Sequence, residues 1–290
     1  MKRLGIFTVM ALVGAQMAMG PMAMGQNFQL PRPPKTLTGV PQRAGWIVEH
    51  YWDNADMAAL ANAEDKAVAG KPSELEQAFV NYLALFPLTE SDSLCNAAVA
   101  KMMHKADSVQ ACRQVFSLAN KYLFDLDSPM ANEEHFLFFV QAAKSSNSIS
   151  AIQRQETLYW TQVIDNNRVG REIEEFSFET PQGKLMDFSD VKGERLLLLF
   201  DTECADCRAM IEALRQGALQ QDAPRQVVAI AVNSNRKTFR KFAESLPSEW
   251  VTGWDSTGTI NGGAFALRHL PDLYLVSADG TVMAKHLKTE

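Results

Sequence analysis

The sequence has little cysteine, no surplus of basic residues and, beyond its first 25 residues, no long apolar run. Four cysteines in 290 residues are too few for a disulfide framework, so the fold must rest on packed cores. Lys and Arg number 28 against 34 Asp and Glu, a formal net charge of -6. That balance leaves no basic stripe to engage phosphates, and no nucleic-acid partner is expected. Low-complexity tracts and repeats at solenoid spacing are also missing. The hydrophobic fraction of 47% is that of an ordinary globular protein, and the length suits two domains plus a targeting segment.

Lys2 and Arg3 precede an uncharged apolar run, and Ala23 and Gly25 place small residues at cleavage-site spacing. Residues 1–25 therefore read as a signal peptide, with Gln26 as the mature start. An uncleaved anchor stays open, because the run is long enough to cross a bilayer. Cleavage implies no stable membrane insertion and a location in the periplasm or cell envelope. Residues 26–40, with Pro31, Pro33 and Pro34, read as a Pro-rich linker.

From 41 to 166 apolar residues recur at helical spacing, as in Leu75, Phe79, Tyr82 and Leu83. Breaks at Pro87, Asp107 and residues 127–129 divide the region into five or six expected helices. From 167 to 290 the pattern changes to strand and helix. Phe176 and Phe178 before Gly183 predict a hairpin, and residues 196–200 a buried central strand. A helix over 205–215, a second buried run over 227–232 and an amphipathic stretch over 237–246 follow. Asp279 and Gly280 mark a closing antiparallel hairpin. The fold class is thus α + α/β: a helical domain followed by a domain with a mixed central sheet flanked by helices.

Cys204 and Cys207, with two residues between them, stand where the buried strand meets the helix. There the first thiol meets the positive end of the helix dipole and free backbone N–H groups, which favour a thiolate. The second lies one turn along and can close a ring on the first. Cys204 is therefore the candidate nucleophile and Cys207 the candidate resolving thiol. A zinc half-site is the competing reading, but Cys95 and Cys112 do not supply a second ligand pair at knuckle-like spacing. Only a site borrowing His269 or His286 would remain, so neither metal nor cofactor is expected. Cys95 and Cys112 lie on opposite sides of the break at Asp107 with an axial offset of roughly 9 Å at helical rise, too far for a disulfide. They read as buried free thiols. His50, between aromatic neighbours and Asp53, reads as part of a packed patch.

Three segments carry a family resemblance. LLLLFDTECADCRAMIEAL resembles the active-site strand and helix of thioredoxin-like proteins of the TlpA group. FSFETPQGKLMDFSDVKGE is similar to that group's leading hairpin, and RHLPDLYLVSADGTVMAKHL to its closing segment. The resemblance implies thiol-disulfide oxidoreductase activity and a cis Pro271 beside Cys204. It also gives the backbone of Leu270 the task of pairing with an extended substrate strand, so Leu270 and Pro271 are the expected substrate-binding residues. Disulfide-containing proteins would be the substrates, and a separate thiol redox partner would supply electrons. EHYWDNADM, ELEQAFVNYLALFP and DSPMANEEHF resemble the helical domain of unknown function that precedes such domains in certain bacterial envelope proteins.

Some positions depart from the group's pattern. Leu198 stands where thioredoxins bury a carboxylate, Met210 where an acid often follows the second cysteine, and Asp272 where Thr is common after the proline. With Glu203 and Asp206, Asp272 is expected to place three carboxylates near the nucleophile, which would oppose its thiolate and poise the pair toward reduction. Only four residues follow His286, so the final helix of the standard fold is expected to be absent or replaced. The missing acids sustain an alternative function: a binding module whose helical domain recognises a partner and whose thioredoxin fold is mainly structural.

Overall fold

The structure, a computed structural model, describes residues 30–64, 72–106, 108–219 and 225–289. The signal segment and the first residues of the linker lie outside these. The chain divides into two compact units between Thr161 and Gln162, inside a helix that runs over Ala151–Asp165. The boundary read from sequence, 166/167, falls just after that helix.

The first unit is helical throughout. Its elements are α1 (Val40–His50), α2 (Met57–Glu64), α3 (Glu74–Leu83), α4 (Phe86–Thr89), α5 (Asp92–Lys105), α6 (Val109–Ala119), a π-turn (Asn120–Phe124), α7 (Glu133–Lys144) and α8 (Ala151–Asp165). Eight α-helices among the described residues exceed the five or six expected. The surplus is in the short pieces: Pro87 sits in the first turn of the four-residue α4, where a missing N–H costs nothing, and so begins a helix that it was read as breaking. Ser73, Ser91, Ser108 and Asn132 cap α3, α5, α6 and α7, each side chain accepting the third helical N–H. Tyr51, Trp52, Tyr82 and Phe86 pack ring against ring in the core, and Phe116 and Phe136 pack on Trp160. Buried Glu76 is paired with Lys121 and accepts from Tyr122 at 2.7 Å, anchoring the π-turn to α3.

The second unit is a seven-stranded mixed sheet. Its strands are β1 (Ser177–Glu179), β2 (Leu185–Asp187), β3 (Arg195–Phe200), β4 (Gln226–Ala231), β5 (Val251–Trp254), β6 (Asp272–Val276) and β7 (Val282–Ala284), in the order β2-β1-β5-β4-β3-β6-β7. Strands β3, β4 and β5 are parallel, while the hairpins β1-β2 and β6-β7 flank them antiparallel on either side. All six residues of β3 are buried, as its unbroken apolar run requires of a strand covered on both faces. Leu196, Leu198 and Phe200 face α9 (Ala205–Arg215) and α10 (Arg236–Ala243). Leu197 and Leu199 face the other core, built around Phe176, Phe188, Phe265 and Tyr274. The helical N-terminal domain and the mixed sheet flanked by helices together are the α + α/β architecture read from sequence.

Candidate active site

The parallel strands and the start of β6 bring their chemistry to one end of the sheet. At the end of β3, Asp201 turns the chain: its carboxylate accepts the Glu203 N–H at 2.8 Å, an Asx turn that breaks the strand and delivers Cys204 to the N-cap of α9. Cys204 Sγ accepts the backbone N–H of Cys207 at 3.0 Å, so the half-buried sulfur occupies the position an anion takes at a helix N-terminus. Cys207, Met210, Ile211 and Leu214 form the buried stripe of α9. That stripe fixes the asymmetry of the pair, because three residues of helix rotate Cys207 into the core and leave Cys204 at the rim.

Burial pushes the Cys207 thiol up to about 12, and Cys204 adds to the push through its hydrogen bond and charge. The Asp201 N–H, which points at Cys207 Sγ from 3.5 Å, acts in the opposite direction and outweighs the smaller upward push of the Asp201 charge. Thr202 and Ser234 are hydrogen-bonded at 2.8 Å, tying the turn after β3 to the chain leaving β4. Arg208 donates to the Thr202 carbonyl at 3.0 Å.

Opposite the cysteines, the Leu270–Pro271 bond is cis. Cys204 Sγ lies 3.7 Å from the Leu270 carbonyl oxygen, so the geometry brings together the four residues singled out in the sequence, Cys204, Cys207, Leu270 and Pro271. None of the four cysteines is in a disulfide, and Cys95 and Cys112 are buried in the helical unit. Cys112 donates to the Ala106 carbonyl at 2.9 Å, and Cys95 shares a hydrogen bond with Thr89 at 3.3 Å. Among the described residues no group of three or more His, Cys, Asp or Glu is gathered for a metal ion.

One expectation needs correcting. Asp272 does not join Glu203 and Asp206 around the nucleophile. Alternation along β6 points its side chain with Tyr274, into the face opposite the one on which Cys207 packs. There the Asp272 carboxylate is fully buried, accepts from the Tyr274 hydroxyl at 3.0 Å and pairs with His286 Nδ1 at 2.8 Å. Of those three carboxylates, the exposed Glu203 and Asp206 are the ones beside Cys204 in the chain. Sequence reasoning missed His286 altogether except as a metal ligand; the period-two alternation of residues 272–276 was the signal that could have located its partner.

A sheet of this topology with a Cys-x-x-Cys pair at the N-terminus of its first crossover helix and a cis-proline facing it defines a thioredoxin-like domain. Residues 169–285 match the AhpC/TSA family, and residues 9–167 match a domain of unknown function, DUF5106. The second match covers more than half of the chain, and the protein belongs to the DUF5106 family, with a thioredoxin-like domain behind its helical one. A thioredoxin-like protein from Bacteroides caccae is similar over 91% of this chain and 96% of its own, with 26% identity and a TM-score of 0.81. A thiol:disulfide interchange protein from a Bacteroides species covers 43% of this chain and 84% of its own at 17% identity and a TM-score of 0.38. The thioredoxin domain of a thiol-disulfide oxidoreductase from Bacteroides vulgatus covers 41% and 89% at 15% identity and a TM-score of 0.35. No curated protein matches the chain. Among the described residues no helix is long and apolar enough to cross a membrane.

Proposed function

We propose that this protein is an exported thiol-disulfide oxidoreductase that reduces or isomerises disulfides in proteins of the cell envelope. The observation that carries the reading is the placement of Cys204 Sγ, accepting a helix N-terminal N–H at 3.0 Å while facing the Leu270 carbonyl across the cis-proline loop. The Cys204 thiolate attacks one sulfur of a substrate disulfide, forming a mixed disulfide and expelling the other sulfur as a thiolate. Cys207 then gives up its proton and attacks Cys204 Sγ. The substrate leaves as a dithiol, and a Cys204–Cys207 disulfide remains. A separate dithiol partner must return two electrons to that disulfide before the next cycle. Leu270 and Pro271 are the substrate-binding residues, their backbone lying beside the attacking sulfur.

Turnover of a protein disulfide such as those of insulin, with dithiothreitol as electron source, tests the reading. The purified protein should accelerate reduction, and Cys204→Ser should abolish the acceleration. Unchanged turnover in Cys204→Ser would refute it.

A binding role for the helical domain is a second reading, favoured by a cleft of about 570 Å³ between α5 and α7 lined by Asn96, His104, Gln141, Ser146 and Asn147. Hydroxyl, amide and imidazole groups among alanines suit a polar, hydrogen-bonding ligand.

A further inference from the structure

The catalytic cycle makes no use of the buried cluster behind the cis-proline loop. Asp272 follows Pro271 directly, and its carboxylate is wholly shielded from water. A buried carboxylate is tolerated only where donors satisfy it, and here they are Tyr274, two residues along the same strand, and His286, from beyond β7. Between them, Tyr274 and His286 Nδ1 engage both oxygens of the Asp272 carboxyl. His286 itself adopts φ of 57°, a left-handed conformation that a non-glycine residue holds only when its surroundings impose it. The turn it makes sends the next residues elsewhere. Leu287 donates its N–H to the Leu273 carbonyl at 3.1 Å and packs on the core beneath α9. Thr289 donates to Met210 Sδ at 3.4 Å, one turn along α9 from Cys207. The segment after β7 thus touches both halves of the candidate site: the strand that carries the Leu270–Pro271 backbone and the helix that carries the cysteines.

We propose that His286 and Asp272 are positioning residues of the redox site, holding the Leu270–Pro271 backbone where an extended substrate strand can pair with it beside Cys204. This rests on the oxidoreductase reading above. In consequence the pair governs capture of polypeptide substrates, which need the Leu270 backbone, and not the reactivity of Cys204 toward small disulfides, which need only the sulfur.

Three variants and three measurements test it. His286→Ala removes a hydrogen-bond partner from the buried Asp272, so kcat/KM for a disulfide within an extended peptide should fall about tenfold, mainly through KM. The rate of Cys204 with dithiobis(nitrobenzoate) should stay within about twofold, as expected if chemistry at the sulfur is untouched. His286→Asn, whose amide can donate from nearly the place of Nδ1, should restore most of the peptide rate, while Asp272→Asn should resemble His286→Ala. Amide hydrogen exchange of residues 270–273 should quicken in His286→Ala and return in His286→Asn. A parallel fall in both rates, no rescue by Asn, or unchanged exchange would overturn the proposal. Wild-type protein that reduced neither substrate would overturn the oxidoreductase reading instead, and exchange would still decide whether His286 holds the loop.

Discussion

Cys207 shows how one residue's burial becomes a property of the protein. Its thiol is pushed up to about 12, chiefly by burial and then by Cys204, whereas in the unfolded chain a cysteine titrates near about 8.5. A group whose folded pKa is raised contributes stability that is complete below the unfolded value and is lost as pH climbs toward the folded one. The stability advantage of the dithiol protein over Cys207→Ala, measured by urea denaturation under reducing conditions, should therefore shrink between about pH 8.5 and about 12. An advantage independent of pH across that window would contradict the placement. Cys204 and Cys207 were legible in the sequence because their chemistry is local: two thiols three positions apart at a strand-to-helix junction. Asp272 and His286 were not, because their contact joins residues 14 apart across a hairpin whose register the sequence does not state.

Among the elements, strand β5 escaped the sequence reading. Val251–Trp254 is four residues long, only partly buried and interrupted by Gly253, so it shows neither a continuous apolar run nor an alternation. The glycine explains the strand's place in the sheet: a Cβ at 253 would collide with the Phe178 ring, and its absence lets β1 cross close beside β5. Gly253→Ala should cost about 2 kcal/mol in chemical denaturation, the range for overpacking a well-filled core. Phe178→Leu should cost less in the Gly253→Ala background than in the wild-type protein. Additive costs would mean that the two positions do not share that space. Strands β3 and β4 and helix α9 were legible for the opposite reason, each being a long, uniformly patterned segment. In the helical unit the capping residues were present in the sequence, but aromatic density blurred the periodicity that would have separated α4 from α3.

For the whole molecule, the sequence disclosed a helical domain ahead of a thioredoxin-like one, because composition and period both change near residue 167 and because three separated segments resembled one family in the right order. It did not disclose which face of the sheet each side chain of β6 enters, nor that the chain beyond β7 would turn at His286 and pack against β6 and α9. The central claim concerns the division of labour between half-buried Cys204 and buried Cys207. Non-reducing mass analysis of protein incubated with a disulfide-bonded polypeptide tests it most directly. Cys207→Ser should accumulate a mixed disulfide on Cys204, since the thiol that would resolve it is gone, and Cys204→Ser should accumulate almost none, because Cys207 is buried. Equal trapping by the two variants, or trapping by neither, would contradict the account.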